Sequence, residues 1–256
     1  MPTATNGGVS LYYETSGTGE TVVFVGDVGY GAWQWGWQHA ALAGPFETLV
    51  TDLRGVGRSD APPGPYAVDL LAADVQAVLE AHGVRRAHVV GAGLGGMVAL
   101  ELARISSRPR TLTLLGTAAA GSGLALDPLF GAPDDPDALE TSLEAAFTRE
   151  FVERHADVIG QIVEWRAAED ASREAWEAQA AAVAAFDAGD RLYEVTTPAL
   201  VCHGGDDAVW PVDRGRTLAE NLPRGEFVAV EDAGHLVHVE ASAVVNDHLW
   251  DVLEDE

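Results

Sequence analysis

The side chains able to do covalent or proton chemistry are few and unevenly chosen. All 15 cationic residues are arginines, so the chain has no lysine. A Walker-type phosphate loop, a pyridoxal Schiff base and a lysine general base each need an ε-amine at one fixed place, and all three are excluded. The single cysteine, Cys202, permits no internal disulfide and ends a short apolar run, which marks it as a packing residue. Among the 8 histidines no HxH or HxxxH spacing occurs, and there is no CxxC, so no metal site is expected. His203 closes an apolar run and His238 lies three residues past His235; both suit packing better than chemistry. The densest motif is the turn Gly91-Ala92-Gly93-Leu94-Gly95-Gly96, which spells the G-x-G-x-x-G dinucleotide fingerprint. That reading needs an acid about 20 residues further on to hold a ribose hydroxyl. Residues 105–126 contain none, and the turn falls in a middle strand–helix unit, so no nucleotide cofactor is expected.

The elements that position these residues follow from hydrophobic periodicity. Apolar runs at 22–25, 48–51, 88–90 and 112–115 read as buried strands of a mostly parallel sheet covered by helices. Leu71, Val75, Val78 and Leu79 fall at i, i+4, i+7 and i+8, a helical stripe that should stop at Gly83. A second helix over 97–103 directly follows the glycine turn. From 118 the composition shifts to Gly, Ala and Pro, and 127–137 is an acidic, turn-rich connector. Residues 139–188 read as about three helices carrying Phe147, Phe151, Ile159, Trp165, Trp176 and Phe186. Strands return at 199–202 and 227–230, and a helix over 244–253 closes the chain. The expected organisation is an α/β core at 1–119 and 196–256 interrupted by a helical cap at 120–195.

The order of motifs resembles the α/β-hydrolase superfamily over essentially the whole chain. Residues 22–35 resemble the strand and loop that supply half of that family's oxyanion hole. Asp52-Leu53-Arg54-Gly55-Val56-Gly57-Arg58-Ser59 resembles its D-x-R-G-x-G-x-S loop, in which Asp52 and Arg54 are expected to brace the chain. Residues 88–96 stand where the nucleophile elbow belongs, Gly204-Gly205-Asp206-Asp207-Ala208-Val209-Trp210-Pro211 resembles the acid loop, and Gly234-His235, with Glu240 five residues on, resembles the histidine loop. The resemblance implies a twisted, mostly parallel sheet flanked by helices with an inserted helical cap. It places Asp207 and His235 as a catalytic dyad, with the backbone N–H groups of Leu94 and Val28 as oxyanion donors. Asp27, Trp33, Trp165 and Trp210 are expected near the site.

Two departures from that pattern bear on chemistry. An elbow reads G-x-S-x-G with serine on a strained turn; here the nucleophile position is Gly93. Glycine there relieves backbone strain of about 1–3 kcal/mol. The oxyanion loop carries Gly26-Asp27 in place of the family's His-Gly, which is unfavourable for a developing oxyanion unless Asp27 points away or is protonated. Ala92 departs too, and the neighbouring changes together point to an evolved arrangement. The resemblance then implies a serine-independent hydrolase of a small ester, lactone or related carbonyl compound, with His235 as general base. A degenerate hydrolase that only binds a ligand or partner is the competing class, and lyase or cofactor-free oxygenase chemistry stands behind both.

Composition bounds the surroundings. The 256 residues carry 40 acids against 15 cations, a formal charge of −25, alongside 47% hydrophobic residues and 7 tryptophans. Core material is ample, so the charge does not imply disorder. Nucleic acid and anionic membranes are poor partners for such a surface. A small-molecule substrate or ligand is expected, with no cofactor and no metal; the sequence leaves the oligomeric state open. No apolar run approaches the length of a membrane span and no signal segment is evident, so the cytoplasm is the expected address. The lysine-free, acidic composition resembles that of proteins from salt-accumulating organisms, where counterions screen self-repulsion.

Overall fold

The computed structural model describes residues 2–254. Strands β1 (Thr3–Asn6), β2 (Val9–Ser16), β3 (Thr21–Val25), β4 (Glu47–Thr51), β5 (Ala87–Ala92), β6 (Pro109–Leu115), β7 (Ala199–Gly204) and β8 (Gly225–Val230) form one sheet in the order β1-β2-β4-β3-β5-β6-β7-β8. β1 and β2 pair antiparallel, as do β2 and β4; every other pairing is parallel. The mostly parallel sheet is as expected, and the edge hairpin extends it. Asn6 pairs with Val9 across Gly7-Gly8, both at positive φ, a two-residue turn whose geometry suits the twist of its strands. The central strands are apolar throughout because both faces are covered; every residue of β3, β5 and β7 is buried.

Helices α1 (Gly36–Leu42), α2 (Val68–Ala81), α3 (Leu94–Ile105), α4 (Pro136–Ala146), α5 (Arg149–Arg154), α6 (Ala156–Glu169), α7 (Arg173–Ala185), α8 (Val212–Asn221), α9 (Val237–Glu240) and α10 (Ser242–Glu254) complete the fold. The stripe Leu71, Val75, Val78 and Leu79 is fully buried on α2, each side chain contributing about 1.5–3 kcal/mol. Gly83 follows this helix at positive φ, as the stop signal requires. α2, α3 and α8 contribute to the core on one face of the sheet, and α1 and α10 to that on the other. The segment between β6 and β7 holds four helices, α4 to α7, where about three were expected; Thr148 N-caps the short extra one. Among the described residues no helix is long and apolar enough to cross a membrane.

β3 sits between β4 and β5, so the chain leaves its carboxyl end to one side and β5 continues on the other. Such a reversal opens a crevice outside the strand ends, the usual seat of a ligand in a parallel sheet. Residues 26–31 after β3 and the glycine turn after β5 both lie there.

Candidate active site

Gly93 joins β5 to α3 with φ 48° and ψ −113°, a conformation that residues with a Cβ adopt only under strain. The turn is tied down by Gly93 N–H donating to the Leu115 carbonyl (3.0 Å) and by the Thr117 hydroxyl donating to the Gly93 carbonyl (2.7 Å). There is a second reason for glycine. A Cβ at residue 93 would collide with the carboxylate of Asp27, which lies in the space a nucleophile side chain would fill.

Asp27 points inward and is 1% exposed. Its Oδ1 accepts from Val28 N–H at 2.6 Å and from Leu94 N–H at 2.8 Å. These are the two donors expected to form an oxyanion hole, and they do converge on one oxygen atom. That atom belongs to the protein. The other oxygen, Oδ2, lies 2.8 Å from His235 Nε2, and His235 Nδ1 lies 2.8 Å from Asp207 Oδ2. Asp207 Oδ1 accepts from Val209 N–H (2.9 Å) and Trp210 N–H (2.7 Å), which fixes its orientation. The imidazole therefore donates to a carboxylate on each side.

The electrostatics follow from that geometry. Burial disfavours a charged imidazole, but the Asp207 charge and hydrogen bond, then those of Asp27, outweigh it and hold the His235 pKa up to about 10. Burial likewise opposes charge on Asp207, yet the His235 charge and hydrogen bonds from His203 and His235 keep it well below the usual carboxylate range. At neutral pH His235 is held as an imidazolium against the Asp207 carboxylate. His235, expected to act as a general base, has to lose that proton before it can accept one.

Neighbouring groups are structural. His203 Nε2–H donates to the Trp210 carbonyl (2.6 Å) and faces Asp207 Oδ2 at 3.2 Å. His238 stacks on Trp35 at 4.7 Å; burial and then the His235 charge push its pKa down to about 3. Burial pushes the Cys202 thiol up to about 12, so it supplies no thiolate. Asp52 accepts from Arg58 N–H, and Arg54 pairs with Asp74 at 2.5 Å, so both brace loops as expected. Glu240 accepts from Gly234 N–H (2.8 Å) and from the backbone and hydroxyl of Thr148, tying the histidine loop to α5. Among the described residues no cluster of three or more His, Cys, Asp or Glu could hold a metal ion.

The aromatic residues separate. Trp210 stacks on His235, with ring centres 5.9 Å apart. Trp33 anchors the loop after β3 to the end of α6: its indole N–H donates to Asp170 (2.8 Å) and its backbone N–H to Glu169 (2.9 Å). Trp165 is not brought to the site; it packs edge-on against Trp37 and is 37% exposed. Trp176 lies against Gly29 instead.

Sequence reasoning missed three polar side chains that fasten this loop. Gln179 on α7 accepts from Gly29 N–H (2.7 Å) and donates to the Arg54 carbonyl (2.8 Å). Asp170, buried, also accepts from Gly31 N–H (3.2 Å) and pairs with Arg166 (2.6 Å). Arg166 spends its remaining donors on the Leu129 and Leu139 carbonyls and on Ser142.

A parallel sheet, a glycine turn leading into a helix, and an acid and a histidine on later loops place the chain in a known class. Residues 22–248 match the alpha/beta hydrolase family, and the chain belongs to it. It is 31% identical to a protein named putative carbamate hydrolase RutD from Azorhizobium caulinodans, over 97% of both chains. It is 27% identical to 3-oxoadipate enol-lactonase 2 of Acinetobacter baylyi, over 93% of this chain and 91% of that one. Among solved structures, the enol-lactonase from Burkholderia xenovorans LB400 superposes with a TM-score of 0.89 at 28% identity, covering 99% of this chain and 100% of the other.

Proposed function

We propose that this protein hydrolyses a small molecule without a serine nucleophile, with His235, oriented by Asp207, carrying the proton transfers. The observation that carries this reading is the continuous relay Asp207–His235–Asp27, with the Val28 and Leu94 N–H groups closing it on the far oxygen of Asp27. Its relatives named for carbamate and enol-lactone hydrolysis support small carbonyl compounds as the first substrates to try. The domain division at 1–119, 120–195 and 196–256 is part of the same reading, with the inserted helices covering the relay. So is a working environment of concentrated salt, which the −25 charge supports.

One observation favours a second reading, a catalytically silent protein that binds a ligand: Asp27 occupies the donors on which acyl transfer in this fold depends. A panel of small esters, lactones, carbamates and epoxides, assayed in molar KCl, separates the two. Turnover by the wild type that is lost in a folded His235→Ala variant supports catalysis. Saturable ligand binding without turnover, unchanged by His235→Ala, supports silence.

A further inference from the structure

We infer that Asp27 is the nucleophile of this site, and that its substrate carries a leaving group on a saturated carbon. This rests on the hydrolase reading above and deepens it. The two oxygens of Asp27 have different surroundings. Oδ1 is held by two backbone N–H groups, whereas among the described residues the hydrogen-bond partner of Oδ2 is the His235 imidazole. Oδ2 is therefore the oxygen with a lone pair to give.

The position of the donors selects the electrophile. Attack on an ester or lactone carbonyl puts negative charge on the substrate's own oxygen, which needs preorganised donors. Val28 N–H and Leu94 N–H are already engaged by Oδ1. Displacement of a halide from a saturated carbon puts no charge on a substrate oxygen and so loses nothing; an epoxide oxygen gains charge only as its ring opens and is quenched there by a proton. The same donors then act in the second step, in which Asp27 itself is the acyl group.

The steps balance. An Oδ2 lone pair forms a bond to the substrate carbon, and the bond to the leaving group breaks with its electron pair. A halide departs as the anion; an epoxide oxygen stays attached through its second carbon and takes a proton from solvent. Asp27 becomes a neutral ester, so His235 loses one of its two stabilising charges and gives up its Nε2 proton to solvent. The neutral imidazole then takes a proton from water as that water adds to Asp27 Cγ. Charge develops on Oδ1, where Val28 N–H and Leu94 N–H wait at 2.6 and 2.8 Å. Collapse expels the substrate alkoxide, which takes the proton of the newly added hydroxyl. The alcohol leaves, and the carboxylate and imidazolium are restored.

A further feature lies nearby. The Trp176 indole nitrogen is buried, lies against Gly29 two residues from Asp27, and has no acceptor among the described residues, which makes its N–H a donor for a departing anion.

The test uses n-butyl bromide and butylene oxide as probes in molar KCl, with His235→Gln to block the second step. Intact-mass and peptide analysis should find a butyl or hydroxybutyl ester on Asp27 in His235→Gln, and Asp27→Asn should show none. Rapid quench of the wild type should show the same ester transiently, a readout that holds even if His235→Gln folds poorly. In a single turnover in heavy-oxygen water, label should enter the Asp27 carboxyl while the first alcohol released stays unlabelled. Label in that first alcohol, or an ester on another residue, overturns Asp27 as nucleophile while leaving a serine-independent hydrolase standing. Hydrolysis of esters or lactones with neither probe forming an adduct overturns the substrate class in the same way. No turnover of any compound and no adduct overturns both readings.

Discussion

The carboxylate of Asp27 and the absent side chain of Gly93 are two halves of one arrangement: the space a Cβ at 93 would enter is occupied by Asp27 Oδ1. The acid arrives from the loop after β3 and the vacancy from the turn after β5, neighbouring strands at the switch point of the sheet. Neither change is tolerable alone. A side chain at 93 collides with Asp27, and a glycine at 93 without Asp27 leaves two inward N–H groups and the Nε2 side of His235 without a partner.

The first prediction is an energetic coupling between residues 27 and 93. Gly93→Ala should cost at least the 1–3 kcal/mol or so of backbone strain, and the Asp27 clash adds to it. In an Asp27→Gly background the same substitution should cost clearly less, because the clash is gone. Denaturant unfolding of the four proteins in molar KCl measures this; additive costs would show that the two residues do not share the space.

The second concerns pH. His235 has a folded pKa raised from 6.5 to about 10, so the folded state binds an extra proton between those values. Its contribution is fully present below pH 6.5 and is lost as pH rises toward 10. Stability should fall across that window, and His235→Gln should flatten the fall. Asp207, with its pKa depressed, adds stability that is present above the ordinary carboxylate range and lost in acid. Unfolding midpoints from pH 2 to 10 test both signs. Asp52, raised by burial to about 6, acts only in the acid half; the buried Cys202 thiol, pushed from 9 up to about 12, adds to the fall above pH 9, so the comparison with His235→Gln isolates the histidine's share.

Removing the fastenings of the loop after β3 should be expensive. Gln179→Ala leaves the buried Gly29 N–H and Arg54 carbonyl unpaired, at about 1–3 kcal/mol. Asp170→Ala strands the buried Arg166 guanidinium, at about 3–5 kcal/mol. Hydrogen exchange at Gly29 and Gly31 should rise in both variants, more than at β5.

Salt supplies the fourth prediction. The 40 acids outnumber the 15 arginines, so most carboxylates lack a cationic partner. Screening shortens from about 10 Å at 0.1 M to about 3 Å at 1 M. The unfolding temperature should climb with KCl over that range; a flat response would remove the inference of a concentrated-salt environment.

Backbone features were the most legible part of this site in the sequence. The family resemblance names Val28 and Leu94 as paired donors, and it carries over because a backbone N–H is positioned by its loop, whatever side chain it bears. The edge hairpin was readable too, since Asn6-Gly7-Gly8 is a strong two-residue turn signal, although hydrophobic periodicity alone passes over it. The direction of Asp27 was not readable, because both an outward solvated rotamer and an inward bonded one fit the same residue. Gln179, Asp170 and Arg166 were hidden for a related reason. They sit on or beside alanine-rich helices, where polar residues ordinarily face solvent, and only the packed structure shows their side chains buried. Trp165 and Trp176 were equivalent candidates by composition, and the helices turn one outward and the other against Gly29.

Glu240 and Gln179 have a joint consequence for how anything reaches the relay. Glu240 clips the histidine loop to Thr148 at the start of α5, while Gln179 on α7 clips the loop bearing Asp27. The two partners of the Asp27–His235 bond are thus moored to the same inserted segment from opposite ends. A displacement of that segment would loosen both sides of the Asp27–His235 bond together, so the geometry of the relay depends on where these helices sit.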